Sequence, residues 1–108
     1  MDLKQVLDKY GIKRCWAWCG DGWVPLIDKL IQDCIAAGWN KELLQVKEKF
    51  GGLRFYIGGA SDEVHDLVTA AEDLSFKVCE VCGDAGEPRD GGWIKTLCDA
   101  CFKGKKRL

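Results

Sequence analysis

Four cysteines near the C-terminus fall into two C-x-x-C pairs, Cys79-Glu80-Val81-Cys82 and Cys98-Asp99-Ala100-Cys101, with fifteen residues between them. A two-residue gap lets both thiolates of a pair turn toward one ion. Two such pairs supply the four sulfurs of a closed tetrahedral zinc site. No other feature restricts the fold as strongly. It predicts that the last part of the chain is organised around one structural zinc ion, in place of a core that roughly 30 residues cannot build alone. Gly83 follows the first pair, where a positive φ lets backbone N–H groups approach the thiolates. Asp84 to Gly92 is rich in turn residues, and Trp93 to Leu97 reads as a short strand delivering Cys98. Two architectures fit. In a zinc ribbon the second pair sits in another turn; in a treble-clef-like finger it opens a short helix, here Cys101 to Lys106. The residues after Leu97 lack turn signals, which favours the finger.

The preceding residues alternate between helical and strand periodicity. Leu3, Val6, Leu7 and Tyr10 mark one helix face, with Gly11 as its stop. Ile12 to Trp23 reads as a loop with buried aromatics. Pro25 suits the first turn of a second helix, whose stripe is Leu26, Ile27, Leu30, Ile31, Cys34 and Ile35, ending at Gly38. From Leu43 the period becomes two. Leu44, Val46 and Glu48 share one face and Gln45, Lys47 and Lys49 the other. After Gly51-Gly52, Leu53, Phe55 and Ile57 alternate with Arg54 and Tyr56. These runs predict a β-hairpin. Ser61 or Asp62 caps a third helix with Val64, Leu67, Val68, Ala71 and Leu74 inward. The fold class is α+β. Residues 1–77 form a helix-helix-hairpin-helix domain, and residues 78–108 form a four-cysteine module docked on it, since no Gly- or Pro-rich linker separates them.

Composition excludes several functions. The 108 residues are 47% apolar, and 16 Lys and Arg stand against 17 Asp and Glu. That balance argues against a protein that coats nucleic acid. No apolar run approaches the roughly 18 residues of a membrane span. Met1-Asp2-Leu3-Lys4 lacks the layout of a signal peptide. With seven cysteines, an odd number, and no export signal, a reducing cytoplasm with zinc fits better than a disulfide framework. From Lys77 onward, seven basic residues face five acidic ones. A four-thiolate zinc site adds about two negative charges, leaving the module near neutral. Its positive charge is concentrated in the tail, where Lys103, Lys105, Lys106 and Arg107 are candidate phosphate contacts.

The remaining cysteines and acids carry weaker signals. Cys34 lies on an apolar helix stripe and reads as core. Cys15 and Cys19 with His65 have no regular metal spacing. Cys19 as a nucleophile needs a base, and His65 is the single histidine. Asp62, Glu63, Asp66, Glu72 and Asp73 read as the solvated side of a helix. Lys47, Lys49, Arg54 and Tyr56 line one strand face, a candidate partner-binding surface.

Three segments together resemble a family of small, mostly uncharacterised bacteriophage and prophage proteins with a zinc-finger-like C-terminus. They are Cys19-Gly20-Asp21-Gly22-Trp23, Gln45 through Tyr56, and Cys79-Glu80-Val81-Cys82-Gly83 with its partner pair. The resemblance spans nearly the whole chain and supplies no catalytic residues. It implies the cytoplasm of an infected bacterium. The function expected is that of a non-catalytic, zinc-stabilised accessory protein that binds a host protein, in the manner of an anti-CRISPR inhibitor of bacterial defence. The alternative is a regulatory zinc finger that binds nucleic acid. A monomer or a homodimer is expected, the latter because of the tryptophans and an exposed hairpin edge.

Overall fold

A computed structural model describes residues 2–12, 15–90 and 92–103. Asp2 opens α1 (Leu3–Lys9) with a capping box: the Gln5 N–H donates to the Asp2 carboxylate at 2.9 Å, and the Asp2 N–H donates to Gln5 Oε1 at 2.8 Å. Leu3, Val6 and Leu7 face inward as the periodicity predicts. A 3-10 turn at Asp21–Trp23 leads into α2 (Val24–Ala36), with Pro25 in its first turn. The Ser61 hydroxyl accepts from the Val64 N–H at 3.3 Å, so Ser61 and not Asp62 caps α3 (Asp62–Ser75).

The hairpin comprises β2 (Leu43–Lys49) and β3 (Gly52–Ile57), joined by Phe50-Gly51. Both loop residues have positive φ, +53° and +84°, as a type I′ turn demands. The register shifts between Leu43 and Gln45. The expected alternation therefore breaks at its first residue: Leu43 and Val46 are buried, while Leu44 points to solvent. The stretch read as a loop also departs from expectation. It holds a third strand, β1 (Trp16–Ala17), parallel to β2 with Trp16 opposite Gln45. Trp16 and Trp18 are exposed, not buried; Trp23 alone of the three enters the core.

The sheet order is thus β1-β2-β3, and one face packs on the helices. Val46, Leu53 and Phe55 meet Trp23, Ile27, Ile31, Val64 and Val68 in a single core. The outer edge of β3 is not open as the sequence suggested. The Leu53 N–H donates to the Ser75 hydroxyl at 2.9 Å, and the Phe55 N–H donates to a Glu72 carboxylate oxygen at 2.9 Å. Side chains of α3 thereby satisfy the edge groups that another strand would otherwise seek. Glu72, read as part of a solvated face, has this second role.

The C-terminal module adds β4 (Glu87–Arg89), β5 (Lys95–Leu97) and α4 (Asp99–Phe102). β4 arises within the stretch read as turns, and β5 is shorter than expected, leaving Trp93 and Ile94 outside it in solvent. The continuation of the helix beyond Lys103 lies outside the described residues. No helix among the described residues is long and apolar enough to cross a membrane.

Candidate metal centre

The backbone folds each cysteine pair into place before any ion is considered. Around the first pair, the Cys79 N–H donates to Asp84 O at 2.8 Å and the Gly83 N–H to Cys79 O at 2.9 Å, closing a tight knuckle. Gly83 has φ +85°, the left-handed conformation that its position was expected to need. A β4–β5 hairpin follows. The second pair then opens a helix: Cys98 is the N-cap of α4, and its sulfur accepts from the Cys101 N–H at 3.4 Å. Knuckle, hairpin and helix occur in the order of the treble-clef-like alternative; a ribbon would place the second pair in another turn.

The sulfurs of Cys79, Cys82, Cys98 and Cys101 lie within 4.8 Å of one another. Four sulfurs bound at about 2.3 Å around one tetrahedral ion stand about 3.8 Å apart, so the cluster has the dimensions of a metal site. Cys82 and Cys98 sulfurs are 3.6 Å apart, far beyond a disulfide bond. The protonation pattern agrees. Burial resists charge on Cys79, but N–H groups of Cys82, Cys98 and Val81 aimed at its sulfur outweigh that and hold its thiol near 6. The Cys101 thiol is pushed up to about 12 by burial and by its three sulfur neighbours. One thiolate is favoured and further ones are opposed until a cation neutralises them. The residues therefore fit a thiolate-binding metal. Among the described residues this is the one cluster of three or more side chains suited to hold an ion. Cys15, Cys19 and His65 do not come together as a second.

The module sits tightly on the body. The Gly22 N–H donates to Glu80 O at 2.7 Å, the Gly20 N–H to Glu80 Oε2 at 2.8 Å, and the Trp23 indole N–H to Val78 O at 2.8 Å. A Cβ at Gly22 would overlap the Cys79 carbonyl oxygen, and one at Gly20 would overlap the Glu80 carbonyl, so the loop touches the knuckle backbone to backbone. On the other side, the Thr96 hydroxyl donates to Gly51 O at 2.6 Å. Lys95 lies 3.5 Å from Glu48 and 3.4 Å from Glu80, whose side chains are almost fully buried. The Gly20–Gly22 loop, the β2–β3 hairpin and the C-terminal module thus converge on one junction. Glu80 is the residue that sequence reasoning missed there. Counted only among the module's acidic residues in the sequence, it is buried and binds the Gly20 loop.

The other candidates separate into a surface and two inert sites. Cys34 is fully buried, as expected. Burial and the nearby carboxylates of Glu80 and Asp21 push the Cys19 thiol up to about 12, the opposite of nucleophile activation. His65 is exposed on α3, beside Arg54 and Tyr56. Lys47, Lys49, Arg54 and Tyr56 do share the outer face of the sheet, with Lys47 opposite Arg54 and its ammonium 5.7 Å from the Tyr56 ring centre. Trp16 and Trp18 join them, at 58% and 65% exposure. The missed signal was period two: the pattern Trp16-Ala17-Trp18 alternates as a strand does. Of the tail cations, Lys103 is exposed at the end of α4, while Lys105, Lys106 and Arg107 lie outside the described residues. Arg89 and Lys95 are engaged within the structure, Arg89 with Asp99 at 2.6 Å and Glu87 at 3.2 Å.

Set against known protein families, characterised proteins and solved structures, the chain finds no match.

Proposed function

We propose that this is a non-catalytic, zinc-stapled accessory protein that binds a host protein. Four thiolates leave a metal no open position for substrate, which supports a structural ion and favours zinc. The raised Cys19 thiol and the exposed His65 give no nucleophile–base pair.

The observation that carries the binding role is an apolar patch at the junction of body and module. Phe50, Trp93 and Ile94 stand in solvent around a groove of about 450 Å³. Phe50 holds its positive φ at the hairpin tip, a strained choice for a bulky side chain, and there it presents its ring to solvent. Exposed aromatics around a concave apolar surface have the character of a protein-binding hot spot. The phage-type setting makes a component of a host defence complex the target class. The experiment is capture from bacterial lysates by the full chain and by a Phe50→Ala/Trp93→Ala variant. A stoichiometric protein partner retained by the first and lost by the second is the expected result. A partner held equally by both, or none across several hosts, would overturn the reading.

A further inference from the structure

The outer face of the three-stranded sheet adjoins the Phe50–Trp93 groove only at Lys49, which lines both. We infer that it binds single-stranded nucleic acid, with bases stacked on Trp16, Trp18 and Tyr56 and phosphates held by Lys47, Lys49 and Arg54. The register fixes the arrangement. Trp16, Gln45 and Tyr56 form one row across the strands; Lys47 and Arg54 pair in the next, and Trp18 follows β1, its N–H donating to Val46 O at 3.0 Å. Trp18 comes two residues after Trp16, just past the end of β1, about 6.6 Å on for extended backbone. Tyr56 lies two strands away, about 9.6 Å across. Three platforms at such spacings suit the splayed bases of a single strand, whereas a duplex keeps its bases stacked inside.

Charge singles out the ligand class. The rows of this face carry no Asp or Glu. None of its three cations has an ion-pair partner among the described residues, in contrast to Lys9, Lys29, Arg89 and Lys95. The Arg54 Nε is buried with no hydrogen-bond partner. Glu72, the carboxylate lining the same cleft as Arg54, is already engaged by the Phe55 N–H. Glu48 points away, toward Lys95 on the module. The whole-chain charge of −1 is no obstacle, because phosphates read the local field. Lysine is depleted in protein–protein interfaces, so the two lysines, set among rings on which bases can stack, favour nucleic acid over protein.

The test uses the full chain, with zinc content and circular dichroism checked on every sample. Fluorescence anisotropy follows labelled twelve-nucleotide oligo-dT and oligo-U, a twelve-base-pair duplex, and poly-glutamate as an acidic polymer without bases. The expected result is single-strand binding with tryptophan quenching, weaker on the duplex and on poly-glutamate. Trp16→Ala/Trp18→Ala should lose about tenfold or more in affinity, since each base–ring stack contributes strongly. The log–log salt slope should be about −2 for three phosphate contacts and flatten by about 1.4 in Lys47→Gln/Lys49→Gln. Absence of binding by folded protein at low salt would overturn the inference. So would binding that both variants keep, which would point to the tail, and so would equal affinity for poly-glutamate. Lys49 also lines the groove, so the variant that leaves the groove reading standing whatever its result is Trp16→Ala/Trp18→Ala, which touches none of the groove's residues.

Discussion

In the body, Trp23, Ile27, Ile31, Val46, Leu53 and Phe55 are buried together under a sheet and three helices. In the module, apart from Cys79 and Cys98, the buried residues among those described are Glu80 and Thr96, both polar. α4 buries none of its residues. The body has what a domain needs to hold itself together: a shared apolar core and capped helices. The module has a hairpin of two three-residue strands, the Arg89 ion pairs and four sulfurs. The contrast teaches that order in the module is borrowed, from a metal on one side and from the glycine loop of the body on the other. Removing either source should affect the two regions unequally.

Metal removal should give the largest effect. Structural zinc contributes on the order of 10 kcal/mol to small metal-folded units. Chelation, or Cys79→Ser, should abolish amide protection around residues 79–103, while amides of α2 and β2 exchange slowly as before. Acid should do the same by titration. A thiol held near 6 by surrounding N–H groups takes up its proton as pH falls through that value. A depressed folded pKa contributes stability above the ordinary thiol range and loses it as pH drops through the folded value. Zinc retention should therefore fall as the protein is acidified, because protons compete with the metal for the thiolates, followed by elemental analysis after buffer exchange. Simultaneous loss of protection in α2 would break the comparison, showing one cooperative unit in place of two.

The body's own hold on the module is sharpened by Gly22→Ala. The new methyl group would overlap the Cys79 carbonyl oxygen, so loop and knuckle must move apart. Overpacking of this kind costs about 1–3 kcal/mol. The variant should keep its zinc, because no ligand changes, but the Glu80 carbonyl and carboxylate would lose their Gly22 and Gly20 partners. Isotope-edited NMR should show shifts at the junction with an unchanged core. Loss of zinc in this variant would mean that docking and metal binding are one event.

This junction also marks where the sequence stopped being legible. The four ligands could be read because the information is local: two residues between sulfurs, one glycine after. The Ser61 cap and Pro25 are local too, and the hairpin turn, expected at Gly51-Gly52, falls one residue earlier, at Phe50-Gly51. Pairing of β1 with β2 is not local. Trp16 meets Gln45 across 29 positions, and a two-residue strand has too little pattern to announce itself. The buried state of Glu80 depends on Gly20 being sixty residues away in the chain. The bulge that turns Leu44 outward is set by how β2 must end against β3. What resisted reading was, in each case, a contact between distant segments, and the open aromatic face of the sheet is itself a product of the β1 pairing.

Within the body, the smallest expected effect tests how its sheet edge is closed. The Ser75 hydroxyl accepts from the Leu53 N–H and donates to Glu72 O at 2.5 Å, and Ser75 is fully buried. Ser75→Ala removes a small group and leaves little void, so the cavity cost is minor. What remains is a buried N–H with no acceptor, a cost of about 1–2 kcal/mol. Glu72 still holds the next edge N–H, at Phe55. The variant should therefore fold, melt a few degrees lower and keep its zinc. Its Leu53 amide should exchange faster while the Phe55 amide does not. If it instead dimerises at high concentration, seen by sedimentation, the hydroxyl guards the edge against strand addition as well as satisfying it. If Leu53 exchange is unchanged, the edge is closed by the packing of α3 on β3 and not by the hydroxyl. The body would then rely on burial alone where the module relies on polar contacts, making the difference between the two regions wider.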